Sequence, residues 1–82
     1  MFINKTGEGL NNVSGKNIAK FRKKIGISQR ALADKLQLEG LDIDKNAIQR
    51  IEAGKRFVTD IELVFFANVL QKTFEELLEM QL

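Results

Sequence analysis

The stretch SQRALADKLQLEGLDIDKNAIQRIEAG, residues 28–54, reads as two short helices joined by a turn, and that reading decides the fold. In its first half Leu32, Ala33 and Leu36, with Ile27 just ahead of them, are spaced to share one apolar helix face, and Ser28 stands where an N-cap belongs. In its second half Asp44 is the cap, a short carboxylate able to accept from main-chain N–H groups of the first turn. Ile48 and Ile51 then turn inward beneath Ile43, while Lys45, Asn46, Gln49 and Arg50 point the other way. That outward face carries long hydrogen-bond donors and no acid. A helix polar in front and apolar behind, held across a partner helix, is a shape that puts side chains into the major groove of duplex DNA.

Working outward, residues 1–14 hold Gly7, Gly9 and several asparagines with little periodicity and read as a flexible N-terminal arm, leaving residues 15–82 as one domain. Helix 1 is expected to begin after Ser14 and to run through KNIAKFRKK, with Ile18, Phe21 and Ile25 on its core side and Gly26 ending it. Helix 2 follows from Gln29 to about Leu38. Gly40 is its expected stop, with Leu41 folding back as the apolar contact of the cap. Helix 3 spans about Lys45 to Ala53 and ends at Gly54, a left-handed position that other residues resist. Thr59-Asp60-Ile61-Glu62 is a capping box that announces helix 4, with Leu63, Phe66, Ala67 and Leu70 facing the core. Thr73-Phe74-Glu75-Glu76 is a second box, and helix 5 is expected to run on to the end with Phe74, Leu77 and Leu78 buried. Without prolines or alternating apolar runs there is little room for strands, so the fold class is all-α, five helices around one core.

Composition narrows the function. At 82 residues, the chain sits near the lower limit at which one apolar core holds without staples, and it has no cysteine to form a disulfide. Lacking both histidine and cysteine, it has no usual zinc ligand, no common catalytic base and no thiol nucleophile, so neither an enzyme nor a cofactor or metal protein is expected. The longest apolar run, residues 63–67, is far too short to span a bilayer, and no signal-peptide pattern opens the chain, which points to a cytoplasmic, nucleoid-associated protein with no membrane partner. The net charge is only +2 but is unevenly spread. Residues 16–56 hold eleven Lys/Arg against five Asp/Glu, whereas residues 57–82 hold one against five. Basic residues gathered around a helix of this kind are an electrostatic footprint for phosphates; solvated helix faces are the plainer alternative.

The segments SQRALADKL, AIQRIEAGKR and TDIELVFFANVL resemble the helix-turn-helix domain of phage repressors and Cro, the xenobiotic-response-element (XRE) class of bacterial and phage regulators. The resemblance covers about Lys16 to Leu78. It implies a lambda-repressor-like fold in which helices 2 and 3 form the helix-turn-helix, and a repressor acting on a roughly two-fold symmetric operator. It also implies roles. Lys45, Asn46 and Arg50 match positions that touch base edges, with Gln49 a weaker candidate; independently, Arg and Lys suit guanine O6 and N7, and Asn suits adenine N6 and N7. Gln29 matches a phosphate anchor at the start of helix 2, and Lys55 and Arg56 match a backbone-contacting loop. Arg22 and Glu52 match a salt bridge that ties helix 1 to helix 3. The departure from the family is the turn, where QLEGLDI lengthens a usually tight connection; helix 2 is expected to gain about a turn and the connection to bulge.

Other patterns carry less. Asp42-Ile43-Asp44-Lys45-Asn46 opens like a calcium loop, but Ala47 stands where glycine is needed and Ala53 where a bidentate glutamate is needed. Glu75, Glu76 and Glu79 lack a basic or nucleophilic companion and read as a solvated face. Ile61, Phe65 and Val69 form a second apolar stripe on helix 4, coverable by Phe2 and Ile3 of the arm, by helix 5, or by a second subunit in a homodimer. A protein-interaction module of antitoxin-like or regulatory type is therefore the rival function.

Overall fold

Ile18 and Phe21 of one helix, Leu32, Ala33 and Leu36 of the next, and Ile48 and Ile51 of a third meet in a single core with Ile43, Phe66, Leu70 and Leu77. The computed structural model describes residues 5–80. Its elements are α1 (Ser14–Lys24), α2 (Gln29–Leu38), α3 (Lys45–Glu52), α4 (Asp60–Leu70) and α5 (Phe74–Leu78), with no strand among the described residues. α1 runs through the middle and packs against α3, α4 and α5, while α2 packs against α3 and α4. α3 is thereby backed by α1 and α2 and keeps its opposite face outward.

The helix starts follow the cap residues. Ser28 Oγ accepts from Ala31 N at 3.0 Å and Asp44 Oδ1 from Ala47 N at 2.8 Å. Both capping boxes close, Thr59 with Glu62 and Thr73 with Glu76. α1 is the exception: Ser14 lies inside the helix, and Asn12 takes the capping role, its Oδ1 accepting from Gly15 N at 2.9 Å. The exits are equally regular. Ile27 N donates to Arg22 O, Leu41 N to Leu36 O, Lys55 N to Arg50 O and Lys72 N to Ala67 O, each closing a helix end through a left-handed residue. Three of those residues are glycines, at 26, 40 and 54, as the sequence predicts; the fourth is Gln71, at φ 55°.

The lengthened connection between α2 and α3 leaves the core spacing intact. Leu38, Glu39 and Gly40 swing out into solvent, then Leu41 packs against the core and Ile43 is buried within it. Gln37 Nε2 donates to Ile43 O at 2.8 Å and fastens the returning chain to α2.

The C-terminal part departs from expectation. α5 stops at Leu78 instead of running on, and only Leu77 is buried, with Phe74 and Leu78 each about half exposed. A five-residue helix presents little more than one turn to its neighbours, and a single side chain reaches the core. Buried Asn17 on α1 donates to both Leu77 O and Glu79 O at 2.8 Å, which secures the chain where α5 ends. On α4, Phe66 and Leu70 are buried and Leu63 and Ala67 pack partly against the core. The stripe Ile61, Phe65, Val69 divides: Phe65 and Val69 also pack against the core, and only Ile61 stands out, 66% exposed. Of the covers considered for it, Phe2 and Ile3 lie outside the described residues. Ile25, placed on the core side of helix 1 from its spacing, is instead half exposed in the turn after α1.

Residues 6–13, read as part of a flexible arm, follow a hydrogen-bonded path over the end of α3. Thr6 N donates to Leu10 O, Gly9 N to Thr6 O, and Asn11 N to Gly54 O. Leu10 lies directly on Gly54, where a Cβ would come within 2.7 Å of it.

Candidate nucleic-acid interface

α3 carries the site. Its apolar positions Ile48 and Ile51 are fully buried, which fixes the rotation of the helix and turns Lys45, Asn46, Gln49 and Arg50 outward, all four exposed. Asn46, Gln49, Arg50, Ala53 and Lys55 line one shallow depression. Arg30, Ala33, Asp34, Gln37, Asp44, Lys45 and Asn46 line a second, between α2 and α3. The expected base-contact residues and Lys55 are thus brought together on one surface. Arg30, which sequence reasoning passed over, joins them across the second depression. Its signal was its place two residues after the cap Ser28, at a helix start whose N–H groups already favour anions.

A buried ion pair sets how α3 lies against the rest. Arg22 Nε donates to Glu52 Oε2 at 2.7 Å and Nη2 to Glu52 Oε1 at 2.9 Å, a two-pronged contact with both side chains about nine-tenths buried. Arg22 Nη1 also donates to Ile27 O at 2.8 Å. The hydrogen bonds that Arg22 donates to Glu52 raise the Arg22 pKa above the ordinary arginine value against the opposing effect of burial. The pairing read from the resemblance is therefore present, and it links α1, α3 and the turn before α2.

Two expected phosphate contacts are engaged within the chain. Gln29 Nε2 donates to Glu52 Oε1 at 3.0 Å, so this side chain extends the Arg22–Glu52 cluster toward α2. The main-chain N–H groups at the start of α2 still point out of the helix. Arg56 reaches Glu62 on α4, with Nη1 to Oε1 at 3.0 Å and Nη2 to Oε2 at 2.8 Å. The Glu62 carboxyl, buried and also accepting from Thr59 N at 2.9 Å, is held below the usual glutamate range chiefly by the Arg56 guanidinium. Arg56 thus fastens the loop after α3 to the start of α4, and Lys55 is the exposed cation of that loop.

The arrangement offers a row of donors and three exposed cations, Lys45, Arg50 and Lys55, on a rigid helix and the loop after it. The fold and this surface define a class. A helix-turn-helix family model matches residues 18–77, and the chain belongs to that family, the XRE-type DNA-binding transcriptional regulators. Among solved structures it is similar to the restriction-modification controller protein C.AhdI from Aeromonas hydrophila, at 25% identity and a TM-score of 0.68, over 78% of this chain and 86% of that one. No curated protein matches the chain.

Proposed function

We propose that the protein reads DNA sequence in the major groove with α3 and acts as a repressor on a roughly two-fold symmetric operator, without catalysing a reaction. One observation carries the reading: Lys45, Asn46, Gln49 and Arg50 are all exposed on one face of a helix whose opposite face is fully buried. No acid stands among these four side chains, which are ones that pair with purine edges, while Asp34 and Asp44 line the depression beside Lys45. Arg50 and Asn46 reach bases, Lys45 covers the helix start, Gln49 assists, and Lys55 meets a phosphate. Gln29 and Arg30 stand at the α2 N-terminus, where main-chain N–H groups suit a second phosphate. Likeness to a restriction-modification controller supports a regulatory role.

A second reading, a protein-interaction module, has its own support. Phe57, Ile61 and Val64, on the loop after α3 and on α4, are each more than half exposed. The two readings join if this patch pairs two copies on a two-fold operator.

Selection of bound fragments from random-sequence DNA, followed by sequencing, tests the proposal. A recurring motif with inverted halves is expected, held with an affinity that falls steeply as salt rises. Recovery of no motif, or retention indifferent to salt, contradicts it.

A further inference from the structure

The loop that carries Lys55 has its main-chain carbonyls taken one after another by two consecutive asparagines. Asn11 N donates to Gly54 O at 2.8 Å and Asn11 Nδ2 to Lys55 O at 2.9 Å. Asn12 Nδ2 donates to Arg56 O at 2.8 Å and, with its other hydrogen, to Ile51 O at 2.9 Å. Asn12 Oδ1 meanwhile caps α1 through Gly15 N. One amide therefore joins the start of α1, the last turn of α3 and the loop beyond it. The contact is close as well as bonded: at Gly15 any Cβ would collide with Ile51 O, so α1 and α3 meet there backbone to backbone. Asn11 Oδ1 is buried without a hydrogen-bond partner among the described residues, so this side chain is held there by its donor side.

We propose that Asn11 and Asn12 are positioning residues for DNA binding, which set the 54–56 loop so that the Lys55 ammonium meets a phosphate. Resting on the reading of Lys55 given above, the inference assigns a DNA-binding role to a segment outside the helix-turn-helix. The gain is entropic. Lysine is a point charge on a flexible stem, and a mobile loop beneath it would spread that charge over many positions. Fixing the three carbonyls beneath it leaves only the side chain's own freedom to be lost on binding.

The test is a double-mutant cycle on the full chain, read as the salt dependence of binding to a random-sequence DNA duplex. Asn12→Ser keeps an oxygen able to cap α1 but removes the amide that donates to Arg56 O in the loop and to Ile51 O at the end of α3. Lys55→Ala should lower the salt slope by about one unit, because one fewer counterion is released. Asn12→Ser should lower it by the same amount, and adding Lys55→Ala to it should lower it no further. A wild-type slope in Asn12→Ser beside a lowered slope in Lys55→Ala overturns the positioning role, as does a double variant that loses both increments. An unchanged slope in Lys55→Ala alone is a different pattern, which removes the phosphate contact and the inference with it. If Asn12→Ser melts below the assay temperature, Asn11→Ser replaces it; that change leaves the α1 cap in place and is expected to lower the slope likewise, an unchanged slope again overturning the proposal.

Discussion

Glu52 sits on the inner side of α3 yet governs how the outer side is presented. Its two carboxylate oxygens receive Arg22 from α1 and Gln29 from α2, so one residue aligns three helices. Glu52→Gln should strand the Arg22 charge and cost about 3 kcal/mol, roughly 12–24 °C of melting temperature in a domain of this size, together with DNA affinity. Replacing the pair by apolar residues, Arg22→Met with Glu52→Leu, should recover most of the stability but not the binding, because a buried pair orients more than it stabilises. Recovery of both by calorimetry and gel shift would count against an orienting role. Glu62 makes a pH-dependent contribution. Its carboxyl ionises more readily in the folded chain than at its ordinary value of 4.5, so the stability it adds is complete above that value and is lost as pH falls through the lower folded one. Glu62→Gln should therefore lower the melting temperature at pH 7 and approach the wild type as the solution is acidified; a difference constant with pH would show that the ion pair with Arg56 is not its source.

At the scale of the elements, helix starts and stops were the most legible part of the chain. Ser28, Asp44, Thr59 and Thr73 all cap as their chemistry predicts, since a short side-chain oxygen before a helix has a local partner whatever the tertiary fold. Gln71 was not foreseen because a left-handed exit leaves no signature in a side chain that merely tolerates it. Gln71→Gly should relieve that strain and raise stability by about 0.5 kcal/mol, net of the extra freedom glycine gives the unfolded chain. A fall in melting temperature would instead mean that the Gln71 side chain is itself stabilising. The reach of α5 and the ordering of residues 6–13 were not legible either. Both depend on asparagine amides bonding to main-chain carbonyls more than thirty positions away, Asn17 to Leu77 and Asn12 to Ile51, and nothing in local periodicity encodes such a contact. The outward face of α3 was legible because burial of Ile48 and Ile51 fixes it. What Gln29 and Arg56 touch was not, since each is claimed by a carboxylate from another element.

On the scale of the whole molecule, the two exposed surfaces lie on different elements, the polar one on α3 and the apolar one around α4, which is the arrangement a DNA-binding dimer needs. Ile61→Ser with Val64→Ser alters only exposed positions and should leave folding intact while shifting sedimentation from dimer to monomer. A wild-type protein that sediments as a monomer, or a variant that still dimerises, places the contact elsewhere or removes it. The central claim, however, is that α3 distinguishes bases and does not merely attract phosphate. Arg50 and Asn46 lie one turn apart on the exposed face, within reach of neighbouring base pairs, while Lys55 stands on the loop beyond. The most direct measurement compares Arg50→Ala, Asn46→Ala and Lys55→Ala on a selected duplex and on random-sequence DNA. Arg50→Ala and Asn46→Ala should each cost about 1–3 kcal/mol on the selected duplex, relax preference at one position and leave random binding nearly unchanged, whereas Lys55→Ala should weaken both alike. Equal losses on both duplexes for Arg50→Ala and Lys55→Ala would contradict the account.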